Sequence, residues 1–392
     1  SRAVSPHAHR GMSHALLTAA LFAVATPPAT TTDATDATDA TDETARVAWQ
    51  VPLAAGAMRP CVVDGDSVVQ ALASGDVVSV ARATHAVQWR AHLGSGGVHA
   101  APAVLGDVVV AGAFAGPALA FAGTGAVRWR APIDGVIGSP VQREHTIFVG
   151  TIGGLVALDD ATGYERGRFP TVGGVPAVAV DGDRVVFASF TDDALIAVDV
   201  DEVGAYTVFT QAWRLHGPAL AHDKNGAATN FAGFQAESIP IVDGVAFVPT
   251  NVAEVWAVDV GTGQKRWGYE PGGSVVNAPA VARGLVFIVA SNGSSVDKDR
   301  ASRVVAVDAG SGVERWAVEL PHVLAMGGAV VVDGVVALAT DARALLGFHA
   351  ATGARIFTVK LRGAGWWTPC ADGDGTIYVG DDSGALTAVR AR

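Results

Sequence analysis

The sequence predicts an all-β fold: an eight-bladed β-propeller of four-stranded antiparallel blades, its ring closed by the amino-terminal strand joining the last blade. Three observations carry this expectation. A phrase recurs, "AVDVGTGQKRW" at residues 257–267 returning as "AVDAGSGVERW" at 306–316, with a looser copy, "ALDDATGYERGRF", at 157–169. The aromatic residues that end the phrase fall at regular intervals. The composition suits strands and tight turns, because half of the 392 residues are hydrophobic, only 7% are aromatic and 47 are Gly. Val favours half-buried strands, and Gly takes turn conformations that other residues resist.

The interval sets the blade count. Trp49, Trp89, Trp129 and Phe169 stand 40 residues apart, and the series continues through Trp213, Trp267, Trp316 and Phe357 at steps of 44, 54, 49 and 41. A period near 40 built from short strands marks a propeller with one blade per repeat. In each repeat, strand A opens after a Pro, as in "APAVLGDVVV" or "IPIVDGVAFV". An Asp-Gly turn follows at Asp64-Gly65, Asp181-Gly182, Asp243-Gly244 and Asp333-Gly334, a dipeptide that tolerates the positive φ of a two-residue hairpin. Strand B is the apolar run after it. Strand C, as in "GLVALD" and "EVWAVD", alternates and is expected to bury one face more than the other.

The recurring phrase is the C–D turn. Its Asp accepts backbone hydrogens and its Gly supplies the turn conformation. The aromatic then enters the outermost strand D and docks on the neighbouring blade, where burial contributes roughly 1.5–3 kcal/mol. Eight such aromatics delimit seven intervals. The tail, "GWWTPCADGDGTIYVGDDSGALTAVRAR", supplies strands A, B and C of an eighth blade, and "RVAWQVPL" at 46–53 supplies its strand D. Joining them leaves no free edge.

Three segments follow. Residues 1–25 read as a signal-peptide-like segment: a mostly apolar run from Ala15 to Ala25 ends in an A-x-A pattern before Thr26, and is too short to span a bilayer. Residues 26–45, rich in Thr, Asp and Ala, lack the apolar content to fold and read as a disordered linker. Residues 46–392 form the propeller. The expected location is therefore secreted or periplasmic, with no membrane insertion after cleavage. No Cys follows the apolar run to carry a lipid anchor.

The net charge is −11, from 38 acidic and 27 basic residues. A nucleic-acid partner is not expected, because no Lys/Arg cluster offers phosphates a basic face. An acidic surface keeps an exported protein soluble, and a monomer is expected.

Few residues suggest chemistry. His92, His99, His216, His222 and His322 sit in D–A connections without a metal-ligand spacing. "DGDGTIYVGDD" at 372–382 departs from a Ca²⁺ loop at Thr376 and reads as a hairpin. Trp366 and Trp367 read first as inter-blade packing, with one facing a ligand at the channel mouth as the alternative. Asn292-Gly293-Ser294 matches a glycosylation acceptor. No catalytic or metal-binding residue is assigned. Cys61 and Cys370 occupy the same place on strand A of the first and last blades. They either form a disulfide across the seam or remain two buried thiols, if their Cα atoms lie beyond about 7 Å. Two lengthened connections, residues 216–238 and 291–302, emerge on one face of the ring. His222, Phe231, Phe234 and Asn292 are the candidate partner contacts there.

The phrase Ala-x-Asp-x-x-Thr-Gly-x-x-x-Trp, matched best at 257–267 and 306–316 with degenerate copies at 79–89, 120–129 and 347–357, resembles that of the pyrroloquinoline-quinone-like repeat propellers. The resemblance covers residues 46–392. One branch of that family comprises quinoprotein dehydrogenases, which imply a quinone and Ca²⁺ on the axis and a vicinal cysteine pair. With its cysteines 309 positions apart, this chain lacks that pair, and no cofactor is expected beyond what analogy to that branch implies. The other branch is non-enzymatic and includes a periplasmic scaffold for outer-membrane protein assembly. The leading expectation is thus an exported, non-enzymatic scaffold for a protein or cell-envelope component. A quinoprotein oxidoreductase and an extracellular ligand or carbohydrate sensor stand as alternatives.

Overall fold

The computed structural model describes residues 45–94, 97–133, 135–190, 192–218, 234, 237–294 and 296–391. The signal-like segment and the linker up to residue 44 lie outside them. Eight four-stranded antiparallel sheets account for the described chain. Seven are built from consecutive strands, spanning residues 62–92, 103–131, 141–170, 177–216, 241–269, 280–321 and 330–360 (blades 1 to 7). In blade 8, Cys370–Ala371, Thr376–Gly380 and Ala385–Ala391 receive Ala45–Pro52 as the outer strand. Ala45, assigned to the linker from sequence, is the first residue of that strand. No helix occurs among the described residues.

Strands B and C are buried on both faces, because a neighbouring blade packs on each side. Ser67–Ala71, Val108–Gly112 and Thr146–Thr151 are buried at every position. The half-buried strand C expected from its alternation is corrected: Gly154–Asp159 and Val255–Asp259 are buried up to their last residue. Strand D instead alternates; in Val87–His92 only Trp89 is buried. The Asp-Gly turns at 243–244 and 333–334 hold both central residues at positive φ, as a two-residue hairpin requires.

Strand D carries a β-bulge at one repeated position. Ala257 faces Trp267 and Val258 faces Lys265, so Arg266 is the extra residue. The same shift precedes Trp49, Trp89, Trp129, Trp213, Trp316 and Phe357. A bulge bends the strand and re-aims the following side chain, here onto the next blade. The indole Nε1 of Trp89, Trp129, Trp213, Trp267 and Trp316 donates to a backbone carbonyl of the next C–D turn, at 3.1, 2.7, 2.8, 2.9 and 2.9 Å. The turns are held by their own phrase: Asp259 Oδ1 accepts from the Thr262 N–H and hydroxyl at 2.8 and 2.9 Å. Asp159 and Asp308 do the same with Thr162 and Ser311.

Phe169 does not occupy the docking position of blade 3. The residue facing Ala157 beside the bulge is Gly167, and Phe169 faces Leu155 two residues further on. The cause is a third lengthened connection, which sequence spacing did not single out. Strands Ala194–Val203 and Tyr206–His216 of blade 4 extend into a long hairpin that lies over blade 3. A Cβ on Gly167 would stand 2.3 Å from the Thr207 carbonyl oxygen, so the hairpin takes the place of a docked tryptophan. Phe169 packs instead against Phe187 and Phe209.

Candidate partner-binding face and axial mouth

In an antiparallel blade the B–C turns and D–A connections share one end, here called the loop face. The described parts of both segments singled out from sequence, residues 216–218, 234 and 237–238 of one and 291–294 and 296–302 of the other, belong to connections at this end. His222 and Phe231 lie outside the described residues. Phe234 corrects its assignment as a partner contact: it is fully buried, bridges Thr250 and meets Trp256 edge-on. It fills the site that Val136 fills beside Thr151 two blades earlier, so it belongs to the core. Asn292 is exposed and donates to the Gly272 carbonyl at 2.7 Å. It borders an open cavity of about 290 Å³ with Glu270 and Ser274.

The structure adds an apolar patch on the same face. Ile152, Val172 and Phe190 are 44%, 81% and 38% exposed. The D–A connection carrying Val172 is tied on one side to the B–C turn of blade 3, where Val175 N–H donates to the Thr151 carbonyl at 2.9 Å. On the other side Phe190 N–H donates to the Gly174 carbonyl at 3.1 Å. The three side chains thus come from adjoining segments around Gly173 and Gly174. Beside them Asp192 pairs with Arg214 at 3.1 Å. Burial pushes its carboxyl up, but hydrogen bonds from Ser189 and Arg214 hold it below its ordinary value. The exposed apolar pair "TV" and "SF" at turn tips is the only sequence signal, and it resembles that of any buried turn residue.

The axial mouth opens on this face. The inner strands neighbour one another in chain order, and Val62–Asp64 of blade 1 meets Cys370–Ala371 of blade 8. Arg59, leading into blade 1, donates through Nε to the Val98 carbonyl of the next connection at 3.2 Å. Its guanidinium lies 4.7 Å over the Trp367 ring, and Trp367 Nε1 donates to the Ala57 carbonyl at 3.0 Å. Arg59 Nη1 pairs with Glu237, which leads into blade 5. Blades 1 and 5 are opposite in an eight-membered ring, so this ion pair crosses the axis. Burial raises the Glu237 carboxyl above its ordinary value, and Arg59 only partly offsets that. Trp367 thus joins the connections leading into blades 8 and 1, a contact between blades, whereas Trp366 Nε1 donates to Asp382 at 3.3 Å.

Cys61 and Cys370 form a disulfide between blades 1 and 8, with Cα atoms 5.6 Å apart. Next to it, Arg82 donates to the Tyr378 hydroxyl at 2.8 Å and pairs with Asp372, and Tyr378 donates to Asp372 at 2.7 Å. The carboxylates of 372–382 thus serve the seam and its turns. The residues described at the mouth do not offer the ligand set that the quinone and Ca²⁺ of the dehydrogenase branch imply. Ca²⁺ takes about six to eight oxygen ligands, but Glu237 is engaged by a guanidinium and the cysteines join two blades. Among the described residues no three His, Cys, Asp or Glu side chains come together.

Repeat, ring closure and docked tryptophans define a pyrroloquinoline-quinone-like β-propeller. The chain belongs to the family described as outer membrane protein assembly factor BamB, whose profile matches residues 33–132, 116–206, 202–302 and 300–392. No curated protein matches it. Among solved structures it is similar to BamB from Moraxella catarrhalis, at 16% identity and a TM-score of 0.69 over 88% of this chain and 99% of that one. The computationally designed Ika8 protein is similar at 15% identity and 0.68, over 86% and 98%. The quinohemoprotein alcohol dehydrogenase of Comamonas testosteroni matches at 13% identity and 0.69, over 88% and 76%. At such identities these likenesses show the fold alone.

Proposed function

We propose that this propeller is an exported, non-enzymatic scaffold that holds a protein partner of outer-membrane protein assembly on its loop face. The observation that carries this reading is the exposed patch of Ile152, Val172 and Phe190 on one face of a rigid ring. Contiguous apolar surface rimmed by polar groups marks protein contacts. The family description supplies the process. Export is supported by the apolar run at 15–25 and by the disulfide, since disulfides persist in oxidising compartments.

The test is to replace the three residues together by Asn, Asp and Ser (Ile152→Asn, Val172→Asp, Phe190→Ser). These side chains are exposed, so the melting temperature should stay within a few degrees. The expected outcome is failure to co-purify with outer-membrane assembly components and failure to restore outer-membrane protein levels in cells lacking the gene. A variant that does both as well as the wild type overturns the reading.

A further inference from the structure

We propose that Arg59 and Trp367 form a carboxylate-binding site at the axial mouth, that Glu237 of the same chain fills it in the free protein, and that its ligand is a carboxylate borne by a partner polypeptide. This deepens the scaffold reading and rests on it only for the face that the partner approaches.

The cradle is built before any ligand arrives. Arg59 is held by three contacts: Nε on the Val98 carbonyl, the guanidinium over the Trp367 ring, and its own carbonyl as acceptor of Gln70 Nε2 at 2.6 Å. Trp367 is in turn fixed by the Ala57 carbonyl. A guanidinium held over an indole with its Nε on a carbonyl leaves its Nη donors for a ligand, and a planar fork of donors is shaped for a carboxylate. Because the groups that hold it come from blades 1, 2 and 8, it is immobilised independently of Glu237.

The occupant, by contrast, is poorly satisfied. Glu237 comes from the opposite side of the ring, 178 residues from Arg59 in sequence. It uses one oxygen, and its Oε2 is buried with no hydrogen-bond partner among the described residues. An unpaired buried acceptor carries a desolvation cost, consistent with the raised carboxyl of this group. Replacing one carboxylate by another conserves charge at the guanidinium. The exchange is therefore decided by the second oxygen. A ligand that brings both oxygens to the fork makes the bond Glu237 lacks. Such a carboxylate comes from a chain terminus or from an Asp or Glu side chain.

The experiment uses the full chain and calorimetric titration with three peptides. These are Gly-Ala-Phe with a free carboxyl terminus, the same peptide as its amide, and acetyl-Ala-Glu-Ala-amide. The expected result is that a carboxylate peptide binds Glu237→Gln about tenfold more tightly than the wild type, because an internal competitor scales apparent affinity down to the fraction of sites it leaves free. The amide without a carboxylate should not bind. Whichever acidic peptide binds identifies the source. Binding should vanish in Arg59→Gln, and in Arg59→Gln/Glu237→Gln, which leaves no lone buried charge and keeps the test valid if the single variant unfolds. Equal affinity in wild type and Glu237→Gln overturns the proposal, as does binding retained without Arg59. So does the absence of binding by both acidic peptides up to about 10 mM, ten times a millimolar Kd. Any of these leaves the apolar-patch reading standing, since that depends on other residues.

Discussion

The indole of Trp267 lies flat on Gly312 of the following blade. A Cβ on Gly312 would stand 2.7 Å from the ring carbon Cδ2, and the indole N–H donates to Ala309 at 2.9 Å. Gly125, Gly163, Gly263 and Gly353 receive Trp89, Trp129, Trp213 and Trp316 in the same way. Where the receiving turn is missing, the tryptophan is missing too. Gly167 meets the long hairpin, and Phe357 meets blade 8, whose C and D strands come from opposite chain ends. Trp49 meets His85 at the glycine position and stacks on it, with centroids 5.0 Å apart.

Substituting Gly312 by Ala separates turn strain from docking. Gly312 and Gly284 have similar φ, +72° and +74°, but no atom lies within 4 Å of a Cβ on Gly284. Gly284→Ala should cost about 1 kcal/mol from φ alone. Gly312→Ala should cost about 1–3 kcal/mol more, because the indole must move. Denaturant titration of both variants checks this, and equal losses would remove docking as a source of stability.

Gly167 offers a converse test. Gly167→Trp should destabilise by several kcal/mol, since the Thr207 carbonyl occupies the space. Replacing residues 200–209 by a Thr-Gly turn should relieve that cost, so the two changes together should be far less harmful than their sum. A double-mutant cycle measures the coupling. Simple additivity would show that the hairpin does not stand in for the aromatic.

The seam is closed at two radii, by the outer strand Ala45–Pro52 and by the inner disulfide. Deleting residues 45–52 exposes the edge of Ala385–Ala391 and strips Trp49 from Tyr378, so aggregation is expected. Cys61→Ala/Cys370→Ala should lose about 2–4 kcal/mol. Alkylation of the unreduced protein should label no thiol. Reductant should lower the wild-type melting temperature and leave the double variant unchanged.

Acid should loosen the C–D turns first. Hydrogen bonds from Arg266 and Thr262 hold Asp259 at about 2, and those from Arg315 and Ser311 hold Asp308 at about 2. Both lie below the unfolded value of about 3.9. Their contribution is complete above that value and is lost as pH falls towards 2. Asp259→Asn and Asp308→Asn should therefore flatten the stability profile between about pH 4 and pH 2. An unchanged profile would place the acid sensitivity elsewhere.

Much of the ring was legible because its determinants are local. The phrase at 257–267 contains its own turn, bulge and docking residue, so one repeat predicts the next. The eighth blade followed from counting, and the shared place of Cys61 and Cys370 from aligning the first repeat with the last. The misreading of Phe169 has a physical origin. Sequence spacing marks an aromatic near the expected distance, whereas the socket belongs to the next blade and was filled by its hairpin. Phe234 misled for a related reason, since an aromatic in a long loop looks the same whether it faces a partner or Trp256.

The periodic part is written in the chain itself: strand order, blade number, ring closure and the turns that receive tryptophan. These depend on contacts within a repeat or between successive repeats, which recur and can be read as a pattern. Which side chains converge on the loop face, and the meeting of Arg59 with Glu237 across the axis, emerge only when the ring folds. Closing a ring brings segments half a circuit apart within bonding distance, and a contact made once, between residues 178 positions apart, leaves no period in the sequence to reveal it.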